Sequence, residues 1–372
     1  MKDKLLFTPG PLTTSASVKE AMLRDLGSRD FDFMGIVRAI RRKLVELGGV
    51  ADRGYEAVLM QGSGTFGIES VIGSVIPSGG KLLVGVNGAY SKRIRAIAQV
   101  LKIDTAVVSC AENRPLDPDV IARALEKDPS LTHVAVVHCE TSTGLFNPVR
   151  EIGAIAGRLG RGYIVDAMSS FGAAPLNLEE CHIDFLVSSA NKCIEGVPGF
   201  SFVIARRAAL LAIEGFARSL SLDLLAQWRG LEANGQFRFT PPTHSLLAFH
   251  RALQELEEEG GVAARTARYQ ANYQTLVAGM REMGFEEYLA PEDQGWIITS
   301  FRFPSHPHFE FAKFYSLLND SGFVIYPGSV SEAQCFRIGN IGRIFPDSMR
   351  ALLAAISATL AAMEIKVPLE RH

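Results

Sequence analysis

YIVDAMSSFGAAPLNLEECHIDFLVSSANKCIEGVPGFSF, residues 163–202, is the stretch whose reading decides the fold. It holds two short runs of β-branched and aromatic residues, 163–165 and 185–187. The first ends on Asp166. The second empties into Ser188, Ser189, Ala190 and Asn191, and then Lys192. Gly196, Pro198 and Gly199 follow, a turn rich in helix breakers. The pattern predicts two buried strands with an acid and an amine at their carboxyl ends, where open α/β sheets build their ligand sites. Taken singly, Asp166 also fits a helix N-cap, and Lys192 a solvated charge before a loop. Taken together, with small polar residues leading to the lysine, they fit a pyridoxal 5'-phosphate site. There a lysine forms the Schiff base and an aspartate keeps the pyridine nitrogen protonated, so that the ring can draw off electrons.

Upstream, the strand pattern of 55–60 runs into Gly62, Ser63, Gly64, Thr65 and Gly67, with a helical pattern from residue 68. Strand, glycine loop and helix make a phosphate cradle, because amides at a helix N-terminus point at an anion. The same glycines match the G-x-G-x-x-G dinucleotide fingerprint, which calls for an acidic residue about 20 positions on. The next strand, 81–86, ends instead in Asn87-Gly88-Ala89-Tyr90, so a nicotinamide-dependent oxidoreductase loses its second mark. The hydroxyls of Ser63 and Thr65 suit a terminal monophosphate. Tyr90, at a strand end near the cradle, fits either a platform for a flat ring or a packed loop residue.

Strands predicted at 106–108 and 133–138 and helices at 118–125 and 152–159 continue the alternation, at intervals of roughly 25–30 residues, and 201–205 closes the region. Cys139-Glu140-Thr141-Ser142-Thr143-Gly144 is a further polar cluster at a carboxyl end. Beyond residue 210 the rhythm changes: helix at 219–228, a proline-broken loop at 237–244, and helices at 246–258 and 262–283 around Gly260-Gly261. Strands at 296–303, 323–326 and 335–338, with helices at 309–319 and 348–363, predict a small α+β unit. The expected division is a large α/β domain over 16–259 and a small domain over 260–372, with residues 1–15 as an arm. Arg337 lies inside the last apolar strand. A buried guanidinium is costly unless paired, so it fits either an internal ion pair or a fork for an anionic substrate.

A net charge of −2 over 372 residues gives no basic field, which argues against nucleic acid and membrane surfaces as partners. Arg41-Arg42-Lys43 and Lys92-Arg93 read as solvated helix faces. Five cysteines without ligand spacing fit a reducing cytoplasm and no zinc, and Cys193 fits a small buried hydrophobe. His182 and the pair His306 and His308 read as surface loop residues, so no metal is expected. The opening residues carry too short an apolar run for a signal peptide, and no run is long enough to span a bilayer.

With these residues assembled, the chain resembles the fold-type I pyridoxal phosphate enzymes of the class V aminotransferase group. TPGPLTTS (8–15), QGSGTFGIES (61–70), NGAY (87–90), ETSTG (140–144), VDAMSSFG (165–172), SSANKCIEGVPGF (188–200), RSLSLDL (218–224), FVIYPG (323–328) and FRIGNIG (336–342) resemble the 2-aminoethylphosphonate–pyruvate transaminase branch. The TPGP and SGT elements are shared with alanine–glyoxylate and serine–pyruvate aminotransferases, the alternative within the group. The resemblance implies a large domain with a mainly parallel sheet wrapped by helices and a small C-terminal α+β domain. It implies Lys192 and Asp166 as catalytic residues, with Ser63, Gly64 and Thr65 on the cofactor phosphate, Tyr90 on the ring face and Thr141 at its edge. It further implies that Thr240 reaches the phosphate of a neighbouring subunit's cofactor, so that a homodimer is the working unit. Arg337, with Thr8, Pro9 and Gly10, would bind the acidic end of the substrates, 2-aminoethylphosphonate and pyruvate. A cysteine desulfurase would need a cysteine in a long loop after the lysine, which the sequence lacks.

Overall fold

The structure, a computed structural model, describes residues 3–330 and 333–369. The chain opens with β1 (Leu5–Leu6), α1 (Ala16–Glu20) and α2 (Phe31–Leu47). It then alternates through β2 (Tyr55–Gln61), α3 (Gly64–Val75), β3 (Lys81–Val86), α4 (Ala89–Val100), β4 (Asp104–Ser109), α5 (Pro118–Lys127) and β5 (Leu131–Val137). A small hairpin, β6 (Cys139–Glu140) and β7 (Leu145–Phe146), leads through α6 (Val149–Arg158) to β8 (Gly162–Asp166), β9 (Phe185–Ser189) and β10 (Phe200–Arg206). Helices α7 (Arg207–Leu211), α8 (Leu224–Asn234), α9 (Thr243–Glu259) and α10 (Gly261–Glu282) come next. Last are β11 (Ile298–Arg302), α11 (Phe311–Asp320), β12 (Phe323–Val324), β13 (Tyr326–Val330), β14 (Ala333–Gly339) and α12 (Pro346–Ala362).

One seven-stranded sheet runs in the order β2-β10-β9-β8-β5-β3-β4. The pairings from β9 across to β4 are parallel, and β10 runs against both its neighbours. The exception has a plain cause. A parallel connection needs a crossover of a dozen or more residues, and residues 190–199 are a short turn, so β10 must fold back. Helices cover both faces of this sheet, so β8, β9 and β10 are buried almost throughout and read as near-continuous apolar runs.

The apolar core has two main clusters. One fills the large sheet and its helices, drawing on residues from Val18 to Leu256. The other joins Phe7 to residues between Leu276 and Leu369, around the antiparallel sheet β11-β14-β13. Phe336 of β14 sits in the middle of that second cluster, ring to ring with Phe301, Phe303, Phe311 and Phe314. The arm is stitched to the small domain: β1 pairs parallel with β12, and the Gly339 amide donates to the Phe7 carbonyl at 2.9 Å.

Four expectations need correction. The helix expected at 219–228 begins only at Leu224, because Asp223 caps it through the Ala226 amide, while Ser219 Oγ takes the Leu222 amide and holds a turn. The helix expected from residue 68 begins at Gly64, with Ser63 as N-cap, so the glycine loop is partly the helix itself. The strand expected at 323–326 is two strands with different partners, β12 on the arm and β13 on β14. Arg41 is not solvated: it is buried, its Nε donates to the Ala57 carbonyl at 2.7 Å, and it pairs with Glu56 and Glu232.

Candidate active site

β8 and β9 lie side by side in parallel, with Asp166 in register with Val187. Both strands therefore end at the same edge, and the turn after β9 returns Lys192 towards Asp166. A cavity of about 290 Å³ opens there, lined by both residues and by Gly10, Ser63, Gly64, Thr65 and Tyr90. Six of the sequence-predicted site residues besides the lysine thus converge on one hollow. Thr8, Pro9, Thr141 and Arg337 stand just behind it, and Thr240 stands apart.

The electrostatics of the two central groups are reciprocal. Burial pushes Lys192 down from 10.5 to about 8, against the charges of Cys193 and Asp166, which raise it; Arg337 and Arg93 push it further down. Burial pushes Asp166 up from 3.8 to about 7, and the Met168 amide bonded to it at 2.9 Å restrains the rise. No cation lies within ion-pair distance of Asp166 among the described residues. A buried carboxylate in that condition is a seat for a cation, which is what a protonated pyridine ring provides.

The phosphate cradle has the matching geometry. Ser63 caps α3 with extended backbone and no side-chain bond, and the carbonyl of Ser63 takes the amides of Phe66 and Gly67. The amides of Gly64 and Thr65, at the positive end of the helix dipole, donate to no backbone carbonyl among the described residues. A Cβ on Gly64 would lie 2.1 Å from Met168 Sδ, so only glycine lets the helix end approach the cavity floor. An aspartate starved of a cation and a helix end starved of an anion, on opposite sides of one cavity, fit pyridoxal 5'-phosphate.

Tyr90 opens α4. Glu140, fully buried in the β6–β7 hairpin, accepts the amides of Tyr90 and Ser91 and the hydroxyls of Ser91 and Ser142, all at 2.9–3.1 Å. The carboxylate thereby aims the start of α4, and with it the tyrosine ring. Arg93 is exposed, as its sequence neighbourhood suggested, but it also has a place in the site that the sequence did not show. It lines the cavity, its guanidinium carbon 4.9 Å from the centre of the Tyr90 ring, and Nη1 donates to Thr65 Oγ1 at 3.3 Å. The i, i+3 spacing from Tyr90 would have found it. Tyr326 also lines the cavity, and nothing in its sequence pattern singled it out.

Arg337 owes its direction to strand alternation. Phe336 points into the aromatic cluster, so its neighbour points the other way, towards the cavity. Nη1 donates to the Thr141 carbonyl at 2.9 Å and Nη2 to the Pro327 carbonyl at 3.3 Å, and the guanidinium stands 4.8 Å from the Tyr326 ring centre. Its Nε is buried without a partner. Among the described residues Arg337 forms no ion pair, and its bonds to carbonyls leave its charge uncancelled, the condition an anion-binding residue needs. A Cβ on Gly328 would sit 2.3 Å from Nε, so that glycine makes room for the fork.

The arm closes the site from above. Lys192 Nζ donates to the Pro9 carbonyl at 2.8 Å and lies 3.5 Å from that of Gly10. Gly10 has φ +117, and a Cβ there would lie 2.8 Å from Nζ. Thr8 is buried and its hydroxyl donates to the Pro11 carbonyl. Thr141 is buried, with Oγ1 2.6 Å from Ser169 Oγ. Thr240 is exposed and does not line the cavity of its own chain; its carbonyl accepts from Gln61. Among the described residues, no group of three or more His, Cys, Asp or Glu side chains is arranged to hold a metal ion. No helix among them is long and apolar enough to cross a membrane.

The profile of the family described as Aminotransferase class-V matches residues 14–353. A 2-aminoethylphosphonate–pyruvate transaminase of Klebsiella pneumoniae is 53% identical over 357 residues, 95% of this chain and 97% of that one. One of Vibrio cholerae is 54% identical over 354 residues, 95% of this chain and 96% of that one. Among solved structures, a ureidoglycine–glyoxylate aminotransferase from Bacillus subtilis superposes with a TM-score of 0.89, over 99% of this chain and 95% of that one. At 24% identity that likeness speaks for the fold alone.

Proposed function

The chain belongs to the class-V aminotransferases, and from that premise we propose that it transfers the amino group of 2-aminoethylphosphonate to pyruvate, giving phosphonoacetaldehyde and L-alanine. The reading places it in phosphonate degradation, in the cytoplasm. The observation that carries it is the Arg337 fork, without an ion pair among the described residues, standing just behind the cavity that Lys192 and Asp166 line. An amine and an anion are thereby held at opposite ends of a short substrate.

Pyridoxal 5'-phosphate, when bound, supplies an aldehyde for amine exchange and a ring that spreads the charge left by a departing proton. Ser63, Gly64 and Thr65 would hold its phosphate, Tyr90 and Thr141 would contact its ring, and Asp166 would keep its ring nitrogen protonated. Lys192 would anchor it covalently. Freed by the incoming donor, and neutral above about pH 8, the lysine takes a proton at Nζ from the amine-bearing carbon. In the second half-reaction it returns a proton to the carbon that becomes alanine Cα. Arg337, with the Thr8–Pro9–Gly10 turn, receives the phosphonate in one half-reaction and the pyruvate carboxylate in the other. Thr240 completes the phosphate site of a second subunit. The exposure of Phe66, Leu220 and Phe239, at 51%, 76% and 43%, fits a face covered in that homodimer. We place the division between the large and small domains at 259/260, where Gly260 caps α9 in a left-handed turn.

The test is an absorbance spectrum of the protein with cofactor, before and after 2-aminoethylphosphonate. A yellow band that collapses with the phosphonate and returns with pyruvate is expected. A band that ignores the phosphonate and responds to alanine or serine would keep the chemistry and overturn the donor.

A further inference from the structure

Helix α10 carries Arg265, Arg268, Tyr269 and Asn272, spaced so that all four share one face. That face is buried, although it is polar: Arg265, Tyr269 and Asn272 have no exposed surface. It is wedged between two turns. One is the turn that follows Lys192. There Arg265 Nη1 donates to the Cys193 carbonyl at 2.6 Å, and Glu195 Oε1 accepts Arg268 Nη2 at 2.7 Å and the Tyr269 hydroxyl at 2.5 Å. The other follows the strand of Arg337. The Gly342 amide donates to the Tyr269 oxygen at 3.2 Å, and Arg268 Nη1 donates to the carbonyls of Gly342 and Ile344 at 2.6 and 3.1 Å. Asn272 Nδ2 adds a bond of 3.0 Å to the Asn340 carbonyl.

Two arginines with buried side chains thus face two carboxylates, the buried Glu195 and the partly buried Glu259. Buried ion pairs of this kind add little net stability, and their best-attested use is to fix one geometry. Here the geometry is specific. Lys192 hangs from the large sheet and Arg337 from the small one, and their separation depends on how the two units meet. Glu195 is held at φ +65, a conformation rare outside glycine, which the surrounding bonds must enforce.

We propose that Tyr269 and Arg268 are positioning residues that fix the span between the Lys192 amine and the Arg337 fork, and so set the length of amino donor accepted. A donor whose amine and anion are one carbon too far apart then meets a rigid gauge. This rests on the donor reading given above.

The test compares kcat/KM for 2-aminoethylphosphonate and 3-aminopropylphosphonate in the cofactor-loaded wild type and Tyr269→Phe. The variant keeps the ring and removes only the oxygen shared by both turns. We expect the wild type to prefer the shorter donor, and the variant to lose that preference by about tenfold, part of the roughly 100-fold that a 1 Å misplacement can cost. The cofactor band should be retained. If Tyr269→Phe does not fold, Arg268→Lys serves: it keeps the charge beside Glu195 and loses the fork that reaches both turns. A purely structural role would lower both donors together, so an unchanged ratio in a folded variant overturns the proposal alone. A wild type that turns over neither phosphonate overturns the donor reading, and this proposal with it.

Discussion

Asp166→Asn should make the cofactor-free protein more stable while it destroys the site. Burial raises the Asp166 carboxyl from 3.8 to about 7, so the folded chain prefers it protonated. An acid raised in this way binds more protons folded than unfolded, and stability falls as pH climbs from about 4 to about 7. Three pH units at about 1.4 kcal/mol each put the full loss at about 4 kcal/mol by pH 8, an upper bound. Asparagine can keep the 2.9 Å bond from the Met168 amide and never ionises. Denaturant melts of both proteins, stripped of cofactor, should show a gap in favour of the variant that opens mostly between pH 4 and pH 7. Pyridoxal 5'-phosphate should narrow the gap, because its ring nitrogen gives the wild-type carboxylate the cation it lacks. Parallel pH profiles, or a variant less stable at pH 8, would refute the reasoning that this carboxylate is held charged at a cost to the fold.

Three further outcomes are expected. Arg337→Ala should raise KM for both 2-aminoethylphosphonate and pyruvate by about 10- to 100-fold, the worth of a charge-assisted bond, with cofactor absorbance intact; unchanged pyruvate kinetics would sink the assignment. Gly328→Ala should reproduce much of that phenotype in steady-state kinetics with the arginine still present, since its Cβ would fall 2.3 Å from Arg337 Nε. Covalent capture of pyridoxal phosphate by the cofactor-free protein, followed by stopped-flow absorbance, should accelerate as pH rises through about 8, where Lys192 becomes a neutral nucleophile. A midpoint near 10.5 would mean the amine is not desolvated.

The large sheet was legible because its strands are buried on both faces, and such strands write themselves as apolar runs bounded by turns. Asp166 and Lys192 could be found because each stands directly after one. Other features left weaker traces. The reversal of β10 was implicit only in the length of 190–199. Leu5 and Leu6 form a strand whose partner lies at the far end of the chain, and two residues carry no period. Arg93 is solvated, as a basic pair on a helix usually is, and only the packing of α4 beside the cradle also sets it at the edge of the cavity. The polar face of α10 hid for the opposite reason. Arg265, Arg268 and Tyr269 have helical spacing, but an amphipathic pattern says which residues share a face, not that the polar face is the buried one.

The pairing of β1 with β12 has a consequence for synthesis. The arm that covers Lys192 is made long before the strand it pairs with: Leu5 finds its place only beside Phe323, and Phe7 in a core built from residues beyond 270. At about 5–20 residues per second, the arm waits on the order of half a minute for its partner strand to exist. Throughout that interval the large sheet can form with its lysine uncovered. The cover is written long before the strand that fastens it, so the nascent protein passes through a stage in which its cofactor pocket is open to the cell.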